Sequence, residues 1–329
     1  MKLPEILTAE LTYRCNHKCL FCSCPWEKQP EMKEKELSLA EWKEIFAKVK
    51  EHGVRQITFT GGEATLRDDL FEILDAAQKL EFSLGLISNG KIIDESFLKR
   101  IKKYHLLLSI SVPGIDTFEQ TTGQDNINHT LEIFDQCKEH GIQTVANIAV
   151  SKMNFSELYE NIALPLLHGA EYILLNRFLP GGRGLENTRY LLSVDEINQM
   201  FDIAEEVLSR AGIYGHIGTE LPFCIIKDPP KYKHLNISSL CAAAKQFFVI
   251  DPSGYVKVCN HSPKRLCHWS EIESLATDNY WNRFTNSDYI PAMCKKCEYL
   301  NTKCDGGCRE AAHVYWGDIT DKDPCFDIL

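Results

Sequence analysis

The sequence has no apolar stretch approaching the roughly 18 to 20 residues that a bilayer-spanning helix needs, so a membrane-embedded protein is not expected. Its start, MKLPEILTAEL, lacks a signal-peptide pattern, which points to the cytoplasm. No sustained Lys/Arg run is present, and the net charge is −10. Such a chain has little with which to displace counterions from a phosphate backbone, which argues against nucleic acid as the main partner. The short mixed-charge run from Glu27 to Glu36 is read as a solvated loop. What the chain does have is cysteine, 14 in 329 residues. Without an export signal, and with the cysteines grouped at ligand-like spacings, metal binding accounts for them better than disulfides. A hydrophobic content of 44% supplies a core for one barrel-sized domain and a smaller unit.

The first part of the chain alternates strand and helix signals. Ile6–Thr12, Gln56–Thr60, Ser83–Ser88, Leu106–Val112, Thr144–Val150 and Tyr172–Phe178 have strand character. Between them, Ser38-Leu39-Ala40-Glu41 is a capping box before a helical run that ends at Gly53, and helices are predicted near 68–80, 95–104, 129–140 and 156–168. A second box, Ser193 to Glu196, opens a helix to about Arg210 after the Gly-rich LPGGRG. Six strands alternating with helices imply parallel pairing, as a partial (β/α)6 TIM-like barrel or a doubly wound sheet. Either architecture puts its site at the C-terminal strand ends. Beyond Gly212 this rhythm is lost and cysteine density rises, so the predicted division is 1–212 and a small cysteine-rich iron–sulfur domain at 213–329.

The first strand leads into YRCNHKCLFCSC, where Cys15, Cys19 and Cys22 stand as C-x3-C-x2-C. A structural zinc site asks for four ligands, usually in two pairs. Three thiols on one loop suit a 4Fe-4S cubane with its fourth iron open. This spacing, with Phe21 before the last cysteine, resembles the signature of radical S-adenosylmethionine enzymes. Gly61-Gly62-Glu63, after the second strand, lets backbone approach a ligand closely and adds a carboxylate acceptor for an ammonium group. It matches the family's GGE element. The resemblance implies that S-adenosylmethionine is held by Phe21, Gly61, Gly62, Glu63, Ser88, Asn89, Ser111 and Asn147. Pro113 departs from the Asp that many relatives carry in this turn, and the Arg often found about twenty residues later is not evident. Arg177, at the end of the sixth strand, faces the barrel interior or makes a surface ion pair.

The last third resembles the SPASM extension of such enzymes, with the pattern C-x9-15-G-x4-C, then C-x2-C-x5-C-x3-C, then C. Here the positions are Cys241, Gly254 and Cys259, then Cys294, Cys297, Cys304 and Cys308, then Cys325, with six residues where five are usual before Cys304. The resemblance implies two auxiliary 4Fe-4S clusters. Cys241, Cys259 and Cys308 would serve the first, and Cys294, Cys297, Cys304 and Cys325 the second. The first lacks a fourth sulfur, since Leu235 occupies the upstream position that is cysteine in some relatives. Cys224 is the preferred candidate, then Cys267, with an open iron as the alternative. Of the remaining thiols, Cys137 is read as core. Cys24 lies close enough to a cluster ligand to serve catalysis as hydrogen-atom donor or thiolate, or else it packs. His261 and His268 hydrogen-bond cluster sulfides or lie at the surface.

By this resemblance the expected activity is reductive cleavage of S-adenosylmethionine to a 5'-deoxyadenosyl radical that abstracts hydrogen from a substrate. Enzymes with this extension most often modify ribosomally made peptides or proteins by crosslinking, epimerisation or oxidation. The chain as given begins at the first barrel strand, so leader recognition is expected to fall to a separate peptide-recognition protein or to the barrel face. A small-metabolite enzyme in cofactor or antibiotic assembly is the alternative. Either needs a low-potential donor such as flavodoxin or ferredoxin. A non-catalytic iron–sulfur carrier or scaffold would leave Gly61-Gly62-Glu63 unexplained.

Overall fold

Local signals set the first elements. Ser38 and Ser193 each exchange hydrogen bonds with the Glu three residues on, closing capping boxes at the starts of α1 (Leu39–Glu51) and the later Val194–Ala211 helix. α1 then buries Trp42, Ile45, Phe46 and Val49, the residues that helical spacing puts on one face. The computed structural model describes residues 1–125 and 127–328. In it β1 (Ile6–Glu10) and α1 are followed by β2 (Gln56–Thr60), α2 (Leu70–Lys79), β3 (Ser83–Ser88) and α3 (Glu95–Ile101). Next come β4 (Leu107–Ser111), α4 (Phe118–Thr122), α5 (Ile127–His140), β5 (Thr144–Val150), α6 (Leu158–Leu167), β6 (Tyr172–Arg177) and α7 (Val194–Ala211). β1 to β6 are neighbours in chain order and all parallel, as a partial (β/α)6 barrel requires. One face of these strands, with Leu7 and Ala9, Ile57 and Phe59, Leu108 and Ile110, and Ile173 and Leu175, joins the helices in the core, while the alternate residues Glu10, Thr60, Ser111, Asn147 and Asn176 line the inside of the barrel.

The sheet does not stop where the strand signals stop. Beyond Gly212 come β7 (Gly215–Ile217), β8 (Leu235–Ile237), β9 (Phe247–Ile250) and β10 (Val256–Lys257), before α8 (Asn279–Thr285) and α9 (Arg309–Trp316). The full strand order is β10-β9-β1-β2-β3-β4-β5-β6-β7-β8, with only the β9–β10 pair antiparallel. Residues after 212 therefore extend both edges of the one sheet. β9 pairs with β1, Ile6 opposite Phe247, and Phe248 and Ile250 join Leu7 and Ala9 in a continuous core. Strands of two to four residues show no readable period in sequence, which is why this continuation is not evident there.

The run from Glu27 to Glu36 is mostly exposed but pinned, rather than simply solvated. Met32 is buried and its carbonyl accepts a 2.6 Å hydrogen bond from Arg265, Glu34 pairs with the same guanidinium, and Glu36 accepts from Tyr13 N–H at 2.8 Å. Trp26 is buried edge-on against Tyr13, and Cys24 packs against this small cluster below the cysteine loop.

Candidate active site

The cysteine loop leaves β1 and is held from three directions. From β2, Gly62 N–H donates to the Thr12 carbonyl at 2.7 Å and Glu63 N–H to that of Arg14 at 2.8 Å. A Cβ on Gly61 would stand 2.6 Å from the Thr12 carbonyl, and one on Gly62 would strike that of Arg14, so both positions need glycine. From the end of α4, the carbonyls of Thr122 and Thr121 accept from Lys18 and Leu20 N–H. From the Gly-rich segment after β6, Gly184 N–H donates to the Cys22 carbonyl, Arg183 to that of Cys19 and Asn187 to that of Leu20. A Cβ on Gly182, whose φ is +46°, would strike the Cys24 carbonyl. The connection LPGGRG is thus a clamp on the loop, a role its composition alone does not reveal.

Among the described residues no three or more His, Cys, Asp or Glu side chains close on a single-ion site. The donor chemistry is that of a larger group. Cys15, Cys19 and Cys22 lie within electrostatic reach of one another; burial and then the Cys22 and Cys15 sulfurs push the Cys19 thiol well up. Ionising three such thiols together needs a cationic centre among them, and a cubane held at three corners fits that need.

Glu63, expected as an acceptor for an ammonium group, also joins neighbouring segments of its own chain, mostly through one carboxylate oxygen. It is buried, and Oε1 accepts from Thr65 Oγ1 at 2.6 Å, Thr65 N–H at 3.2 Å and Ser88 Oγ at 2.8 Å, while Oε2 accepts from Asn89 N–H at 2.7 Å. Its carboxylate joins the end of β2 to the end of β3. Ser88 is spent in that bond. Asn89 instead reaches the cysteine loop, donating to Asn16 Oδ1 at 2.7 Å with Cys15 Sγ at 4.0 Å.

A cavity of about 400 Å³ opens at the C-terminal strand ends. Of the predicted site residues, Phe21, Cys24, Gly61, Ser111 and Asn147 line it, whereas Gly62, Glu63, Ser88 and Asn89 support its wall from behind. A larger recess of about 1060 Å³ lies at the N-terminal strand ends and carries none of the cysteines. The smaller cavity also holds groups not singled out from sequence. Asn176 donates to Asn147 Oδ1 at 2.8 Å, and Glu10 accepts from Asn260 at 3.1 Å. Glu10 forms a buried ion pair with Lys257 at 2.9 Å; burial raises its carboxyl pKa and Lys257 opposes that. Cys24 Sγ lies 3.9 Å from the Gly61 carbonyl, and its hydrogen bond with Cys22 and its burial hold its pKa well above the ordinary thiol value.

Arg177 is not a surface residue. It makes a bidentate buried pair with Asp323, Nη1–Oδ1 2.9 Å and Nη2–Oδ2 2.6 Å, and Asp323 in turn accepts from Cys308 and Cys325 N–H. His261 also faces the cavity, donating from Nε2 to the Pro180 carbonyl at 2.5 Å. His268, in contrast, is a surface group hydrogen-bonded to Ser270.

The C-terminal thiols fall into two groups. Cys241, Cys259 and Cys308 are buried and within electrostatic reach of one another, and Cys259 and Cys308 line the cavity. Cys294, Cys297 and Cys304 form the other, with Cys304 Sγ accepting from Phe223 and Gly306 N–H at 3.3 Å each. Cys224 belongs beside this second group: it is exposed, and Cys304, Cys294, Cys297 and Cys325 lie within electrostatic reach of it. That corrects its expected place as fourth ligand of the first group. Cys267 fails there as well, because it bonds Ser274 and faces Asp278, Glu271 and Glu273. Cys137 is core, as expected.

A parallel partial barrel with three thiols on the loop after its first strand, opening on a cavity at the strand ends, defines an iron–sulfur enzyme of the barrel class. Residues 9–164 match the Radical SAM superfamily, and that match implies a 4Fe-4S cluster and S-adenosylmethionine. It is 27% identical to the PqqA peptide cyclase of Gluconobacter oxydans over 338 residues, spanning 98% of this chain and 90% of that protein. Its fold is similar to that of Streptococcus suis SuiB bound to the precursor peptide SuiA, with a TM-score of 0.79 at 15% identity, covering 100% of this chain and 77% of that one. It is similar also to anSMEcpe with bound AdoMet and the Cp18Cys peptide, with a TM-score of 0.74 at 17% identity, covering 98% and 93%.

Proposed function

We propose that this enzyme modifies a residue of a ribosomally made peptide or protein by crosslinking, epimerisation or oxidation. The observation that carries the proposal is one cavity lined both by Phe21, Ser23 and Cys24, beside the first three cysteines, and by Cys259 and Cys308. The likeness to a peptide cyclase over nearly the whole chain supports the substrate class. With its cluster and cofactor bound, the radical site supplies a 5'-deoxyadenosyl radical that abstracts a hydrogen atom.

The protein's own part is placement and exclusion of water. Phe21, the Gly61 backbone, Ser111 and Asn147 hold the cofactor, and the Glu63 carboxylate fixes the wall that carries them. Cys24 places its thiol at the cavity surface, in position to return a hydrogen atom to a substrate radical. Residues 213–329 act as the auxiliary unit, Cys241, Cys259 and Cys308 holding one 4Fe-4S cluster and Cys294, Cys297, Cys304 and Cys325 a second. A cytoplasmic flavodoxin or ferredoxin serves as electron donor, and a separate peptide-recognition protein presents the substrate.

The test is 5'-deoxyadenosine formation by anaerobically reconstituted, reduced enzyme with cell extract split by ultrafiltration. Stimulation by the macromolecular fraction, abolished by protease, is expected. Stimulation by the filtrate alone would make this a metabolite enzyme. Cys24→Ala should leave the iron content unchanged and remove solvent-derived deuterium from the product if Cys24 returns the hydrogen.

A further inference from the structure

The first C-terminal thiol group has three sulfurs and no fourth. Leu235 is buried in β8, Cys224 stands with the other group, and Cys267 faces Ser274. The neighbouring carboxylates are mostly committed. Asp305 accepts from Cys241 N–H at 2.9 Å and Tyr289 Oη at 2.7 Å, and Glu310 from Tyr280 Oη at 2.8 Å and His313 at 2.9 Å. Glu220 is different. It follows β7, and Arg177 pins its backbone carbonyl at 2.8 Å. Its side chain lines the cavity with Cys259 and Cys308 and reaches the Cys241 turn, where Oε1 accepts from Ala242 N–H at 3.3 Å. That long contact is the one hydrogen bond its carboxylate receives from another of the described residues. Its charge bears on Cys241, Cys259 and Cys308 alike. A carboxylate and three thiolates facing one another in a low-dielectric site repel unless a cation lies among them.

We propose that Glu220 supplies the fourth ligand, through a carboxylate oxygen, of the auxiliary cluster held by Cys241, Cys259 and Cys308. This rests on the reading of residues 213–329 as an auxiliary-cluster unit. A carboxylate oxygen is a harder and less donating ligand than a thiolate. It therefore leaves one iron more exchangeable, at the wall of the reaction cavity, and makes the cluster easier to reduce than one ligated by four thiolates.

The test uses the full chain with Cys15, Cys19 and Cys22 changed to Ala, so that the auxiliary sites are read alone. After anaerobic reconstitution this background should hold about eight irons, four for each cubane. Four or fewer would overturn the auxiliary-cluster reading itself, whatever Glu220 does. Adding Glu220→Gln should lose about one iron and give a three-iron electron paramagnetic resonance signal on oxidation. Adding Glu220→Cys should keep all the iron, change the reduced-state spectrum and lower the cluster's potential. If the Gln variant keeps the background's iron, spectrum and potential, the ligand assignment is wrong. Should it fail to fold by circular dichroism and gel filtration, the Cys variant decides, and an unchanged spectrum and potential there would overturn the assignment.

Discussion

Glu63 illustrates how far a side chain's type can be from its task. In sequence it is an acceptor beside two glycines; in the fold its carboxylate also ties Thr65, Ser88 and Asn89 together. Glu63→Ala leaves those buried donors unpaired and should lower the unfolding free energy by about 2 to 4 kcal/mol in urea titration. Arg177→Met strands Asp323 as a buried charge, and a loss of about 3 to 5 kcal/mol is expected by the same measurement, largely recovered by adding Asp323→Asn. Neither role is legible in the sequence, because the partners are non-local: Ser88 and Asn89 arrive on β3, and Asp323 from near the C-terminus. The cysteines, in contrast, fall into three sets in the sequence by the family resemblance, and the fold brings the members of each trio together. Cys224 was misplaced because nothing in LPFC tells which of two nearby groups it faces.

At the level of elements, the capping boxes and apolar spacing located α1 and α7, and β-former runs located all six barrel strands to within two residues at either end. Ser38→Ala or Ser193→Ala should each cost about 1 kcal/mol by thermal unfolding. Gly182→Ala pushes a Cβ into the cysteine loop and should selectively deplete the iron proposed to bind at Cys15, Cys19 and Cys22 on metal analysis. The α8–α9 joint adds a pH dependence. Tyr280 and His313 share the Glu310 carboxylate, which raises the His313 pKa above its ordinary 6.5. A raised folded value means stabilisation that is complete below pH 6.5 and fades as pH rises through the higher folded value. His313→Asn should flatten that part of the melting temperature against pH profile; with the imidazole partly exposed, the change is below about 1 kcal/mol.

Across the whole molecule, the sequence division near 212 tracks cysteine content, while the sheet ignores it. A chain ending at residue 212 would lose β9 from one side of β1 and β7 from β6, baring two long parallel edges; it should be recovered in the insoluble fraction. No helix among the described residues is long and apolar enough to cross a membrane. The pairing of β1 with β9 also sets an order in time. β1 is synthesised first, yet its second neighbour follows about 240 residues later. At about 5 to 20 residues per second, the nascent chain carries a first strand open along one edge for roughly ten to fifty seconds. The segments that hold the cysteine loop, at residues 61–63, 121–122 and 182–187, are all made before β9, so the loop takes its shape while the far edge of β1 is still open.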